Sequence, residues 1–205
     1  MKNTILDKTK LVNSVFSKVY KKYDLMNDIM SFGIHRIWKD KFIDWMNPSQ
    51  SAKLIDVASG TGDIAKLFSK RNKNIPKITC VEPNNEMFQE GKKNLKDYNN
   101  IKWIKAKAES LPVKDNVYDF YSISYGIRNV TDINKTLREA FRVIKPGRRF
   151  MCLEFTKIDN EVLNFFYKNY SKTIPIIGKY VVGSSKPYDY LVKSIKEFYD
   201  QKQLL

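Results

Sequence analysis

Residues 53–63 read KLIDVASGTGD, an apolar run that leads directly into a turn of small residues. The run 53–58 predicts a short buried strand, and the pattern from Asp63 to Lys70 predicts a helix after it. Glycine adopts backbone conformations that other residues avoid, and the free N–H groups at a helix start attract polar ligands. The segment therefore predicts a strand, a tight turn and a helix. A ligand site at this turn is one interpretation, and a turn that binds nothing is the alternative.

The alternation of strand and helix continues beyond this unit. Further apolar runs predict strands at 77–82, 101–106, 118–124 and 149–155. Amphipathic stretches predict helices at 85–96 and 133–144, the second closed by KPG at 145–147. Strands joined by helical crossovers form a doubly wound, mostly parallel sheet, so the predicted fold class is α/β. In such sheets ligands bind at the carboxyl ends of the strands.

Helical segments are predicted on both sides of this core. Before it, apolar residues recur at helical spacing, at Leu11, Val12, Val15, Phe16, Val19, Tyr20 and Tyr23. After it, residues 161–199 are rich in Phe and Tyr and are predicted to be helical, with an interruption at 174–178 (IPIIG). We expect one domain over residues 1–205. Its parts are an N-terminal helical lid at 1–49, the α/β core at 50–157 and a helical substrate-side segment at 158–205.

The composition excludes several classes of protein. Of the 205 residues, 42% are hydrophobic and 29% are charged, unlike a disordered or low-complexity chain. No apolar run approaches the roughly 20 residues that cross a bilayer. Cys80 and Cys152 lie inside predicted strands, which favours buried thiols over a disulfide or a metal site. Since His35 is the single histidine, no Ser/His/Asp triad and no metal are predicted.

The charge balance indicates no single partner. The 37 Lys and Arg residues exceed the 22 Asp and Glu residues and give a net charge of +15. This charge favours phosphate-rich partners or an anionic membrane surface. However, the lysines are scattered along the chain, so a solvated lysine-rich surface explains the charge equally well. A nucleic-acid partner is not predicted.

The second predicted strand ends in an acid that sharpens the interpretation of the turn. Glu82 follows Gly60 by 22 residues, a separation at which a carboxylate can accept both hydroxyls of an adenosine ribose. A dinucleotide site matches poorly, because Ala58 replaces its first glycine and Asp63 to Ala65 supply no third one. A P-loop does not match, since no Gly-Lys-Ser/Thr follows. The turn and the acid together resemble the S-adenosylmethionine site of class I methyltransferases.

Two longer motifs are more specific than the turn. They are YDLMNDIMSFGIHRIWK at 23–39 and RVIKPG at 142–147, the latter continued by LEF at 153–155. These motifs resemble the two signatures of the ubiquinone/menaquinone biosynthesis C-methyltransferases. Further similarity lies at 56–63, 108–112, 124–130 and 190–195, so the resemblance spans nearly the whole chain. It implies a Rossmann-like, S-adenosylmethionine-dependent enzyme that methylates a ring carbon of a polyprenylated quinol. Benzoquinol and naphthoquinol substrates both remain open.

The resemblance implies a set of cofactor contacts. Carried over position by position, they are Asp56, Ser59, Gly60, Thr61, Gly62, Glu82, Lys107, Ala108 and Ser124. Three positions depart from the family pattern. Ser59 and Arg148 stand where glycine is common, and Lys107 stands where Asn or Asp is common. A lysine side chain has no acceptor atom, so we do not rely on this side chain to bind the adenine amino group.

The resemblance also implies where the reaction takes place. The predicted catalytic residues are Arg128 and Asn129, in the loop after the fourth strand, together with Tyr23 on the lid. Arg128 is suited to stabilise a phenolate, because a guanidinium keeps its proton, and Asn129 can hold a water that takes the ring proton. The alternative for Arg128 is an ion pair with an acid that clamps the loop.

Four further polar residues have less specific interpretations. For His35 a hydrogen-bonded structural role near Trp38 is favoured over catalysis. Asp24 and Asn27 belong either to the lid or to a helix cap. Glu154, at the end of the fifth strand, either faces the substrate or pairs with a lysine.

The C-terminal segment and the end of the chain raise further expectations. Its apolar residues either pack in the core, which is favoured, or line a channel for the isoprenoid tail; they are Phe165, Phe166, Tyr170, Ile174, Ile176 and Ile177. Relatives continue beyond the point equivalent to Leu205 with a strand pair on the sheet edge. We therefore expect an uncovered edge strand and a weakened fold that associates, as a homodimer or within a quinone-synthesis complex.

Two alternative functions remain beside the methyltransferase. One is a non-catalytic, cofactor-binding scaffold of a quinone-synthesis complex, and the other is an RNA methyltransferase. For the enzyme we expect a cytoplasmic protein that contacts the surface of the inner membrane transiently, or a mitochondrial matrix protein if the source is eukaryotic.

Overall fold

A parallel sheet forms the centre of the protein. The computed structural model describes residues 2–49, 51–71, 76–156 and 160–204, so the predicted segment boundaries at 50 and 157–158 lie outside the described residues. The strands are β1 (Lys53–Val57), β2 (Lys77–Val81), β3 (Ile101–Ile104), β4 (Tyr118–Ser124) and β5 (Ile144–Leu153). Their order is β3-β2-β1-β4-β5, and all neighbours are parallel. The predicted doubly wound α/β fold is therefore confirmed.

Helices cover both faces of this sheet. Those of the described residues are α1 (Lys2–Val19), α2 (Tyr23–Ser31), α3 (Ile34–Met46), α4 (Asp63–Arg71), α5 (Asn85–Asn94), α6 (Ile133–Val143), α7 (Glu161–Val182), α8 (Lys186–Glu197) and α9 (Gln201–Leu204). Short 3-10 helices occur at Tyr20–Lys22 and Ile127–Asn129. One apolar cluster around Ile55 and Tyr121 packs on one side of the sheet, and another around Leu54 and Phe68 packs on the other. The strands read as continuous apolar runs because both faces are buried.

The connection between α6 and β5 differs from the prediction. The helix ends at Val143, but β5 begins five residues earlier than expected, because Ile144 already pairs with Tyr118. The next partners along the strands are Phe120 and Arg149. The KPG sequence therefore ends the helix as predicted, but it forms an irregularity within β5 instead of a separate loop.

The predicted interruption at 174–178 is wrong, because α7 continues through it. Pro175 lies inside the helix, where a proline removes one backbone hydrogen bond. The neighbouring Ile174 is fully buried in a cluster with Val19 and Tyr188. A Cβ atom at Gly178 would lie 2.1 Å from the Tyr188 ring. Close packing of α7 on α8 thus holds the helix together across the proline.

The outer face of α7 and the outer edge of the sheet are exposed. Phe165 and Phe166 are each 65% exposed and Ile176 is 60% exposed, so the core-packing interpretation is wrong for these three residues. Among the described residues β5 pairs with β4 alone, and residues 146–150 are exposed. Among the described residues, β5 is therefore an edge strand of the sheet. Within the described ranges, no helix has both the length and the apolar character required to cross a bilayer.

Candidate active site

An open crevice lies over the carboxyl ends of four strands. Its volume is about 290 Å³, close to the lower bound for small-molecule sites. Its floor consists of residues that follow or end the strands: Ala58 after β1, Glu82 after β2, Lys107 after β3 and Ser124 in β4. Helix α1 contributes Thr9, Val12, Asn13 and Phe16 on the opposite side. The crevice thus has the location expected of a ligand site in a parallel sheet.

The turn after β1 uses left-handed backbone at three alternate residues. The φ angles are +54° at Ala58, +56° at Gly60 and +91° at Gly62. Gly60 lines the crevice. At Gly62 a Cβ atom would lie 2.5 Å from Cδ1 of Leu95, so this glycine allows the turn to pack against the end of α5. Ala58 is the one residue of these three with a Cβ atom, so its left-handed backbone is strained.

Ser59 joins the turn to the neighbouring strand. It has no left-handed φ angle, so serine is compatible with the backbone at this position. Its hydroxyl donates to the backbone oxygen of Asp56 at 2.6 Å and accepts from the N–H of Val81 at 3.1 Å. The serine that departs from the family pattern therefore fixes the turn to β2.

Glu82 holds the turn through its carboxylate. One oxygen accepts from the backbone N–H of Gly60 and the other from the N–H of Asn84, each at 2.9 Å. Glu82 is buried and lines the crevice. Burial raises the pKa of Glu82 to about 7, in spite of the two N–H donors. Because each carboxylate oxygen has two lone pairs, the side chain can still accept hydrogen bonds from a ligand.

A smaller cavity adjoins the crevice beneath the turn. Asp56, Asp63, Lys39 and Thr61 are among the residues that line it. Oδ1 of Asp56 accepts from the Ser122 hydroxyl at 2.6 Å, whereas its buried Oδ2 has no hydrogen-bond partner among the described residues. Burial raises the pKa of Asp56 to about 7. The cavity thus offers a buried carboxylate oxygen to a hydrogen-bond donor.

The N-terminal helix is attached to the crevice by polar contacts. The Asn84 amide donates to the backbone oxygen of Asn13 at 3.3 Å and to the Ser17 hydroxyl at 3.0 Å. Nζ of Lys8 donates to the backbone oxygens of Val130 at 2.7 Å and of Arg128 at 3.3 Å. Helix α1 therefore closes one side of the crevice and contacts both the Glu82 region and the loop after β4.

Arg128 forms a buried ion pair with Glu154. Its Nη1 donates to Oε1 of Glu154, and the two side chains are 3% and 4% exposed. The Phe155 N–H also donates to Oε1 of Glu154, at 2.9 Å. Burial raises the pKa of Glu154 in spite of the opposing guanidinium charge. The ion-pair alternative for Arg128 is thus present, and its partner is the acid whose role the sequence left open.

The comparisons with known proteins identify the family. The model of the ubiE/COQ5 methyltransferase family matches residues 3–205. A Rickettsia bellii protein named ubiquinone/menaquinone biosynthesis C-methyltransferase UbiE is 51% identical, over 96% of this chain and 82% of the relative. The chain belongs to the ubiE/COQ5 methyltransferase family. The resemblance found in the sequence is therefore confirmed, and the protein is a methyltransferase.

The chain is also similar to a eukaryotic protein. The mitochondrial 2-methoxy-6-polyprenyl-1,4-benzoquinol methylase of Dictyostelium discoideum is 42% identical, over 96% of this chain and 73% of its own length. Solved structures share the fold at lower identity. A Thermotoga maritima SAM-dependent methyltransferase has a TM-score of 0.62 at 19% identity, over 94% of this chain and 76% of its own.

Most residues that the family resemblance implied lie around the two cavities. Those that line the crevice are Tyr23, Gly60, Glu82, Lys107, Ala108, Ser124 and Asn129. Asp56, Ser59 and Thr61 line the smaller cavity. Gly62 and Arg128 are not among the lining residues of either cavity. The fold therefore brings together residues from the lid, the turn and the ends of β1 to β4.

Three residues of the predicted lid line neither cavity; they are Asp24, Asn27 and His35. Asp24 and Asn27 do not cap α2, because its N-cap residue is Lys22 and no side chain bonds there. His35 is buried and its Nε2 lies 3.0 Å from Oδ1 of Asp28. Burial lowers the pKa of His35 to about 4, so the ring is neutral at pH 7. Its burial and its contact with Asp28 are consistent with the predicted structural role.

The sequence predicted a lid over residues 1–49 but did not identify which residues of α1 line the site. The apolar stripe of α1 has two surfaces. Val15 and Val19 are buried in the protein, whereas Val12 and Phe16 line the crevice. Asn84 gave a local signal, because an Asn before a helix that follows a strand is a typical N-cap. Its contact with α1 could not be derived from that signal.

Proposed function

We propose that this protein transfers a methyl group from S-adenosylmethionine to a ring carbon of a polyprenylated quinol. The observation that carries the proposal is the position of Glu82 on the floor of the crevice, next to the glycine turn. The Rickettsia and Dictyostelium relatives are named for quinone biosynthesis and for a benzoquinol, respectively. Solved structures of similar fold include a Thermotoga maritima protein that is named a SAM-dependent methyltransferase.

The polar atoms around the cavities support the choice of cofactor. Asp56 Oδ2, Ser124 Oγ and Tyr125 Oη are buried and have no hydrogen-bond partner among the described residues. All three residues line a cavity. An unsatisfied buried polar group costs about 1–3 kcal/mol, so a polar ligand that pairs with these atoms is favoured. Glu82 would accept hydrogen bonds from the ribose hydroxyls of S-adenosylmethionine, Asp56 would accept one from its ammonium group, and Lys107 and Ala108 would lie beside the adenine.

Two side chains that line the crevice, Tyr23 and Asn129, suit a phenolic substrate. S-adenosylmethionine supplies an electrophilic methyl group. The chain must hold the acceptor carbon in line with it and exclude water, and α1 covers the crevice. Burial raises the pKa of Tyr23, so Tyr23 keeps its proton at neutral pH and can donate to a developing ring oxyanion. We assign the same role to the Asn129 amide.

Arg128 does not line the crevice, and we propose an indirect role for it. Because its charge is balanced by Glu154, it does not present a free cation to the crevice. Its Nε is buried and has no hydrogen-bond partner among the described residues. We propose that the pair holds the loop with Asn129 in place, and that the guanidinium also favours an oxyanion in the adjoining crevice.

The outer surface supports contact with a lipid membrane. Large apolar side chains are exposed on α7, on the link between α2 and α3, and on the first turns of α3; they are Phe165, Phe166, Phe32, Ile34, Ile37 and Trp38. Exposed apolar patches commonly mark interaction sites, and the net charge of +15 favours an anionic surface. A polyprenylated substrate lies in such a membrane.

Methyl transfer can be tested directly. The purified protein is incubated with S-adenosylmethionine labelled in the methyl group and with demethylated benzoquinol and naphthoquinol, each carrying a short isoprenoid tail. We expect label on a ring carbon of at least one quinol, and the ratio of the two products identifies the substrate class. Tight cofactor binding without any methylated quinol would contradict the enzyme and support the scaffold.

A further inference from the structure

The Asn129 side chain is held at both ends of its amide. Nδ2 donates to the backbone oxygen of Tyr125 at 3.2 Å, and Oδ1 accepts from the Tyr190 hydroxyl at 2.9 Å. A backbone oxygen can only accept, so the nitrogen of the amide must face Tyr125. The oxygen of the amide is therefore the atom that faces Tyr190.

Tyr190 is well placed to act as the donor. It lies on α8, which packs against the 3-10 helix Ile127–Asn129. Its ring packs against the apolar cluster that contains Val19 and Ile174. Burial raises the pKa of Tyr190, so the phenol keeps its proton at neutral pH. The hydroxyl has one proton, and the contact with Asn129 uses it.

We propose that Tyr190 is a positioning residue, which fixes the orientation of the Asn129 amide at the methyl-transfer site. With Oδ1 bound to Tyr190 and one N–H bound to Tyr125, the second N–H of Nδ2 is the donor left for a substrate oxygen. This inference rests on the proposed function. The inference adds that Tyr190 on α8, 61 residues after Asn129 in the chain, helps to keep the N–H group of Asn129 directed to the quinol.

The first experiment compares two tyrosine substitutions in the full chain. Tyr190→Phe removes the hydroxyl and keeps the ring. We expect kcat to fall about 5- to 10-fold, the effect of one hydrogen bond of about 1–1.4 kcal/mol, with an unchanged KM for S-adenosylmethionine and a Tm lowered by only a few degrees. Tyr180→Phe is the matched control, because Tyr180 is 86% exposed, and it should keep the wild-type kcat. A wild-type kcat in Tyr190→Phe would overturn the inference.

A double-mutant cycle separates positioning from a general structural effect. If Tyr190 acts through Asn129, Tyr190→Phe should cost nothing further in an Asn129→Ala background. Independent, multiplying losses of kcat in the double mutant would overturn the inference.

A measurement without substrate tests the hydrogen bond itself. The side-chain amide signals of Asn129 are assigned in a ¹⁵N-labelled protein by their loss in Asn129→Ala. We expect these signals to shift in Tyr190→Phe and to stay in place in Tyr180→Phe. Unshifted signals in Tyr190→Phe would overturn the inference. If the wild type methylates no quinol, the proposed function and the catalytic part of the inference both fail, whereas these signals still decide whether Tyr190 holds Asn129.

Discussion

Two buried glutamate side chains follow the carboxyl ends of strands, Glu82 after β2 and Glu154 after β5, and their surroundings differ. Glu82 is held by the backbone N–H groups of Gly60 and Asn84 and lines the crevice. Glu154 is paired with the Arg128 guanidinium. Backbone N–H groups leave the net charge of Glu82 uncompensated, whereas Arg128 neutralises Glu154. In the proposed site, the half around Glu82, which we assign to the cofactor, keeps a carboxylate free to bind a ligand. The half around Arg128, which we assign to the substrate, uses Glu154 to hold a loop.

The largest expected effect comes from breaking the pair in the substrate half. Arg128→Ala leaves Glu154 buried without its cation, and removing one partner of such a pair costs about 3–5 kcal/mol. Turnover should fall strongly, while the affinity for S-adenosylmethionine changes little. Urea unfolding measures the stability, a methyl-transfer assay measures the turnover, and calorimetry measures the affinity. Arg138→Ala, at an exposed site, is the control. Unchanged unfolding in Arg128→Ala would show that the pair contributes little to stability.

The corresponding change in the cofactor half should act on binding. Glu82→Ala removes charge-assisted hydrogen bonds worth about 1.5–3 kcal/mol. We expect the affinity for S-adenosylmethionine to fall more than about 10-fold, as measured by calorimetry. Glu197→Ala is the control, because the Glu197 side chain is 66% exposed. An unchanged affinity in Glu82→Ala would remove the ribose assignment.

Two buried carboxyl groups of the site should make the stability of the folded protein depend on pH. Burial raises the pKa of both Glu82 and Asp56 to about 7. The unfolded chain ionises these groups at lower pH, so their contribution to stability is present in acid and is lost as the pH rises through about 7.

Ligand binding should have the opposite pH dependence. Donor hydroxyls and an ammonium group favour the ionised carboxylates, so the affinity should fall below about pH 7, by up to about 10-fold per pH unit for each group. Titrations at several pH values measure this dependence, and Asp56→Asn should flatten it. An affinity that is constant between about pH 6 and pH 8 would contradict the assignment of both acids.

The smallest effect is expected in the turn itself. Ala58 has a left-handed backbone with φ of +54°, which costs an L-residue about 1–2 kcal/mol. Ala58→Gly removes this strain but adds about 0.5–1 kcal/mol of chain entropy to lose on folding. We expect a net stabilisation of at most about 1 kcal/mol in urea unfolding, because the lost contact of the Ala58 methyl with the apolar cluster offsets part of the gain. Ala140→Gly, within α6, should be destabilising instead. A destabilised Ala58→Gly would show that the turn is not strained.

The sequence predicted the core of the fold well because its signals are local. Each strand is a short apolar run, and each crossover helix has its own periodicity and cap. The errors occurred where pairing over a distance overrides the local signal. The proline in α7 is tolerated because Ile174 and Gly178 pack against Tyr188. In β5 the strand begins early because Ile144 finds a partner in β4.

The same division applies to the site. The glycine turn and Glu82 could be placed together from the sequence alone, because consecutive parallel strands with helical crossovers bring their carboxyl ends to one edge. The partners of Arg128 and Asn129 lie 26 and 61 residues away, and the contacts of α1 span more than half the chain. Only the tertiary structure decides these contacts, because side chains so far apart in sequence meet through the packing of separate helices.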